Sequence, residues 1–241
     1  MKNVLSISAD AKTVKGEEFG YLTGILYLAP YTLSGYNTCA MAEKANCHAA
    51  CLNTAGRGAF NSVQNARINK TKRFFENRAG FMLDLVFSIQ ALVRKAKKQN
   101  KTPLVRLNGT SDIKWENIGF HYKGKFYSNL MEFFPEIQFY DYSKMPNRDN
   151  LPKNYDLTFS YSGTVEFKPF VQRAINNKMR IAAVFNCKPH EIPESYNGQM
   201  VISGDNSDIR HLEPKGLIVG LYAKGKAKKD NTGFVIQKRA F

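Results

Sequence analysis

The first strong apolar run is GYLTGILYLAP at residues 20–30, which is β-branched, rich in leucine and closed by a proline. That composition predicts a strand ending at the proline. A segment of small residues and asparagine follows at 34–58, and it predicts a loop with one short helical turn. A helical pattern then runs over 59–98, with a break expected near 77–80. Its second half places Met82, Leu85, Ile89, Leu92 and Ala96 at three- and four-residue spacing, which gives one buried stripe. Further strands are predicted at 103–107, 137–142, 155–160, 180–185, 200–202, 217–222 and 233–237. Helices are expected at 127–134 and 165–178.

The middle of the chain therefore alternates strand and helix, the pattern of βαβ crossovers in a parallel sheet. The economical reading is a single α/β domain over residues 1–241, a partial or complete (β/α) barrel-like domain with mostly parallel strands. In such folds functional groups gather in the loops after the C-terminal ends of the strands. The cysteine-rich loop at 34–58 follows the first strand. Asn108 to Asp112 follow the second, Asp141 and Tyr142 end the third, and Ser160 to Ser162 end the fourth. Asn186 and Cys187 end the fifth, and Gly204 and Asp205 the sixth. Parallel strands would bring all six groups to one rim.

Three of the four cysteines fall in one short window, as Cys39-x7-Cys47-x3-Cys51. Clustered thiols in a chain without a disulfide framework point to metal or catalytic chemistry. Thiolates are soft ligands that suit an iron–sulfur cluster or zinc. The spacing of three sets Cys47 and Cys51 one helical turn apart on one side if this turn is helical. Structural zinc more often uses two ligand pairs, and no second pair exists here. Three thiolates fit a [4Fe-4S] cluster with one iron left open to a small-molecule ligand; zinc is the alternative. Cys187 is either a fourth ligand or a plain buried thiol.

Beside the cysteines, Arg106, Asn108, Ser111 and Asp112 form a dense polar strand end. They are the candidate cofactor-binding residues: Arg106 for an anion, Asp112 for hydroxyls. The plainer reading is that Asp112 caps the turn that follows. Gly204-Asp205 and Asp208-x-Arg210 bring further charge to the same rim, or close a tight turn. No G-x4-GK[ST] loop is present, so nucleoside triphosphate hydrolysis is unsupported, and GRGAFN is no dinucleotide fingerprint.

Charge adds one more candidate partner. The net charge is +15, a field that attracts nucleic acid and other polyanions. The basic residues cluster at Arg57, Arg67, Lys70, Lys72, Arg73 and Arg78, and again at Lys224, Lys226, Lys228 and Lys229, with aromatics interleaved. Aromatics beside cations stack on bases. No apolar run reaches the roughly 18–20 residues of a membrane span, and the N-terminus lacks the apolar core of a secretory signal. No membrane partner and a cytoplasmic setting are expected.

The runs GYLTGILYLAP, C-x7-C-x3-CLNTAGRG, ARINKT, VRLNGTSDIKWE, ISGDNSDIR and GLIVGLYAKGKAKKDNTGFV resemble the bacteriophage gene product 88-like family over most of the chain. The resemblance implies a virus-encoded protein acting in the cytoplasm of the infected bacterial host. The three clustered cysteines belong to the family's motif; Cys187 stands where no family cysteine is expected. A fainter resemblance is to radical S-adenosylmethionine enzymes, which place three cysteines in the loop after the first strand of a partial (β/α) barrel. It implies S-adenosylmethionine as the ligand of the open iron. Their usual signature is Cys-x3-Cys-x2-Cys with an aromatic before the last cysteine. Here the order is x7 then x3, and Ala50 precedes Cys51. Two functions are carried forward: an iron–sulfur protein with redox or radical-type chemistry, and a basic nucleic-acid-binding protein with a structural metal.

Overall fold

A computed structural model describes residues 2–8 and 11–240. Its frame is one sheet built from β1 (Leu5–Ile7), β2 (Tyr21–Leu26), β3 (Thr102–Arg106), β6 (Gln138–Ser143), β7 (Tyr155–Ser160), β8 (Arg180–Asn186), β9 (Ser195–Tyr196), β10 (Gln199–Ser203), β11 (Ile218–Tyr222) and β12 (Ile236–Gln237). The order across it is β1-β2-β3-β6-β7-β8-β11-β10-β9, with β12 also paired to β8. A separate hairpin joins β4 (Phe120–Tyr122) and β5 (Lys125–Tyr127). The helices are α1 (Ala11–Glu18), α2 (Asn61–Glu76), α3 (Arg78–Lys98), α4 (Leu130–Phe133) and α5 (Lys168–Asn176).

From β2 to β10 every pairing along that order is parallel. The two edge strands, β1 and β9, pair antiparallel. The sheet is open: among the described residues β1 and β9 do not meet, so the expectation of a complete barrel is corrected. Closure depends on strand register and tilt, which apolar periodicity does not encode. No helix of the described residues is long and apolar enough to cross a membrane.

One face of the sheet is apolar. Leu22, Leu26, Val105, Phe139 and Leu157 meet Phe81, Leu85, Ile89 and Leu92 of α3. Farther along, Phe159, Ile181 and Phe185 meet Phe167 and Ala174 around α5. The stripe read from α3 is thus core. The helical break falls at Asn77, whose side chain accepts the Gly80 N–H and starts α3.

The other face is covered by the segment 204–216; apart from a small apolar cluster of Leu104, Tyr140 and Ile209 it is held by polar contacts. Tyr142 stands beside Thr158, and Thr158 beside Arg180. Arg106 pairs with Asp208, and Tyr142 donates to Asp208 at 3.0 Å. Arg210, 1% exposed, donates to the Tyr142 oxygen at 2.8 Å and to the Gly204 carbonyl at 2.6 Å. Arg180 donates to Asp156 at 2.6 Å and to the Glu213 carbonyl at 3.1 Å. Buried cations persist only when paired in this way.

Asp141 sets where β3 stops. The β3–β6 ladder runs from Leu104 to Val105; beyond it, Asp141 accepts the N–H groups of Leu107 and Asn108 at 3.3 and 2.8 Å and the Tyr155 hydroxyl at 2.9 Å. The carboxylate replaces the missing strand partner and turns the chain out of the sheet.

Burial pushes the Asp141 carboxyl up to about 6, against the pull of Arg106. Its unfolded value is about 3.9. Between these values the folded chain holds a proton the unfolded chain has lost, so its stability contribution falls as pH rises through that window. Urea unfolding of the wild type and Asp141→Asn from pH 4 to pH 7 should show it. The wild type should lose roughly 2 kcal/mol relative to the variant across this range; a constant difference would count against the assignment.

Candidate metal centre

The cysteine loop is built from local turns anchored by distant side chains. Asn37 accepts the Cys39 N–H at 2.8 Å, an Asx-type turn. Thr38 donates its hydroxyl to the Ala29 carbonyl at 2.7 Å, and its own carbonyl accepts the Asp112 N–H at 2.8 Å. One helical turn follows, closed by a Schellman motif: Cys47 N–H reaches Ala42 O at 3.2 Å and Asn46 N–H reaches Glu43 O at 2.8 Å. Asn46 takes the left-handed conformation the motif needs, at φ 50°. The expected helical turn therefore precedes Cys47, and Cys51 lies beyond it, before a 3-10 turn at Leu52–Thr54. From the end of β7, Ser162 and Thr164 donate to the carbonyls of Ala45 and Lys44 at 2.9 and 2.8 Å.

The loop after β3 closes over the other side. A Cβ on Gly109 would lie 2.7 Å from Ile25 and Tyr27, so only glycine lets this backbone approach the tail of β2. The approach brings the Thr110 carbonyl to 3.8 Å from Cys39 Sγ.

All three thiols are largely buried, and burial raises each above the ordinary thiol value, Cys39 to about 12. A main-chain N–H opposes that shift at each sulfur: Tyr31 for Cys39, Cys47's own, and Asn53 for Cys51. Such bonds favour the thiolate. Cys39 and Cys51 feel each other's charge, as do Cys51 and Cys47.

Sequence reasoning passed over Lys144, just beyond β6. It is 8% exposed. Its Nζ donates only to neutral oxygens, Ser160 O at 3.2 Å, Ser160 Oγ at 3.1 Å and Tyr161 O at 3.3 Å. It also lies over the rings of Phe234 and Phe167 at 4.8 and 5.4 Å. Burial pushes this ammonium down, and Cys47, Asp112, Cys39 and Cys51 pull it back up. Arg67 is a second buried cation; it pairs with Asn53 and senses Cys51. The one signal for Lys144 in the sequence is its place one residue past a strand end.

Of the other expected rim residues, Asp112 alone faces the cysteines electrostatically. Its Oδ2 accepts the Lys144 N–H at 2.8 Å, and its buried Oδ1 makes no hydrogen bond but lies 3.9 Å from Arg148 Nη1 in an ion pair. Asn108 is a structural hub: its Oδ1 accepts from Ser111, Ile113 N–H and Trp115 at 2.9, 2.9 and 3.1 Å. Ser111 is spent on that bond. Arg106 lies within the polar face, paired to Asp208. Cys187 responds to Glu191 and Lys238 and to none of the three clustered thiols.

Among the described residues no group of three or more His, Cys, Asp or Glu stands in metal-holding geometry; the thiols are neighbours, not a formed ligand set. The chemistry of the donor set nonetheless fits a metal–thiolate centre. Lys144 and Arg67 lie close enough to the sulfurs to favour thiolates, the form in which cysteine binds a metal or cluster core.

A family model described as Gene product 88 matches residues 4–238. No curated protein and no solved structure matches the chain.

If Arg106 serves the fold and not a ligand, Arg106→Met should leave buried Asp208 to Tyr142 and Arg210 and cost about 2 kcal/mol in urea unfolding. Its thiol reactivity under native conditions should stay unchanged. A variant of wild-type stability would return Arg106 to the site.

Proposed function

From the premise that the chain belongs to the bacteriophage gene product 88 family, we propose that it is a virus-encoded iron–sulfur protein. Cys39, Cys47 and Cys51 hold the cluster, of the [4Fe-4S] type. The observation that carries this reading is Lys144. A buried ammonium hydrogen-bonded to neutral oxygens of Ser160 and Tyr161 is costly without anions close by; Asp112 is one, and the three thiols, as thiolates, would add to it. Three cysteine ligands leave one iron open to a small molecule, for which S-adenosylmethionine is the candidate. Such a cluster supplies one-electron chemistry.

This chain's own residues have defined parts in that reading. The main-chain N–H groups at the three sulfurs favour thiolates and tune their basicity. Lys144 and Arg67 offset the negative charge. Asp112, whose Oδ1 makes no hydrogen bond and only a long ion pair to Arg148, is the acceptor offered to a ligand at the rim. The strands β2, β3, β6, β7 and β8 lie in sequence order, the progression of a partial (β/α) barrel. That order supports reading their C-terminal rim as the functional end. The setting proposed is the cytoplasm of the infected bacterium.

Anaerobic purification with iron, sulfide and zinc analysis tests the reading. The wild type should be brown, absorb near ~400 nm and hold about four iron and four sulfide per chain. Cys39→Ala should lose both, and Cys187→Ala should keep both. A colourless wild type with one zinc per chain would sink the cluster and leave a structural zinc site.

A further inference from the structure

The two basic clusters of the sequence have different fates. The first is largely spent inside the molecule. Arg67 is buried against Asn53, Arg73 pairs with Asp84 at 2.5 Å, and Arg78 lies 3.8 Å over Phe74 while donating to its carbonyl. Lys70 reaches the Val4 carbonyl at 3.4 Å. Phe74 is core, and Phe75 stacks on Tyr36 at 4.5 Å.

The second cluster is displayed. Residues Gly225–Lys229 form a short 3-10 helix whose one buried side chain, Ala227, packs with Ala50, Ala223, Phe234 and Val235, against which Cys47 also packs. Gly225 lies on Ala55, where an added Cβ would stand 2.9 Å from the Ala55 Cβ. With Ala227 held inward, Lys226, Lys228 and Lys229 are exposed, and no carboxylate pairs with them among the described residues. The helix thus stands directly on the cysteine loop. From that loop, Arg57 and Phe60 add an exposed cation and an exposed ring, Phe60 being 61% exposed. Lys228 also borders a recess of about 350 Å³ with Lys188 and Tyr222.

Unpaired cations beside an exposed aromatic ring match the two demands of a single strand, phosphate neutralisation and base stacking. We propose that this surface, Lys226, Lys228 and Lys229 with Arg57 and Phe60, binds single-stranded nucleic acid at the rim, next to the cysteine loop. The proposal does not depend on the metal reading, because the surface is built from residues that hold no cofactor.

The test is fluorescence anisotropy with a labelled single-stranded DNA oligonucleotide over a salt series. Three proteins are compared: wild type, the triple variant K226A/K228A/K229A, and K95A/K97A/K98A, which removes equal charge from the exposed end of α3. The rim triple should bind at least about tenfold more weakly, and its log–log salt slope should fall by roughly 2. The α3 triple should stay within about threefold of wild type, and thermal melts should confirm that both variants fold. Equal losses in the two triples would overturn the proposal, since net charge alone would then explain binding. So would a wild type that ignores the oligonucleotide but binds vesicles of phosphatidylglycerol and phosphatidylcholine. Metal content measured on the same samples separates failure here from failure of the cluster.

Discussion

Parallel pairing makes the strands from β2 to β10 in the sheet order end at the same edge, and the candidate site depends on that constraint. The cysteine loop leaves β2, Asp112 follows β3, Lys144 follows β6, and Ser162 and Thr164 follow β7. None is near another in sequence. The helices α2, α3 and α5 pack on one face and bury its apolar side chains. An antiparallel arrangement would have divided the same residues between opposite edges.

The two faces of the sheet hold different kinds of cohesion. The helix-covered face is ordinary close-packed core. The opposite face joins Arg106, Tyr142, Asp156, Arg180 and the segment 204–216 through charge-assisted hydrogen bonds. Such contacts contribute little net energy but penalise every mispairing. The face is therefore specified more by complementarity than by area. It also fills the side of the sheet that a barrel would have left as a lumen.

Much of this was legible in the sequence. Strands β2, β3, β6, β7, β8 and β11 were marked by apolar runs, and the break at Asn77 by local chemistry. Strands β1, β9 and β12 were missed or blurred, because two or three residues carry too little pattern. The 127–134 helix shrank to Leu130–Phe133, since the preceding residues pair in a hairpin. The cysteine window was visible because three thiols are rare. Lys144 was not, because burial of a lysine follows from tertiary contacts. Arg106 and Asn108 read as ligand groups because polarity near a strand end is legible; the contacts they make in the fold, to Asp208 far along the chain and to Ser111, Ile113 and Trp115 close by, are not.

The anchors of the cysteine loop have a bearing on how the protein is made. Ser162 holds the Ala45 carbonyl across 117 residues of chain, and Thr164 holds that of Lys44 across 120. During synthesis the three thiols leave the ribosome long before these hydroxyls exist. Until β7 emerges and joins the sheet, the sulfurs stand open to oxidants and stray metals. The finished environment of the cysteines is thus a late product of biogenesis.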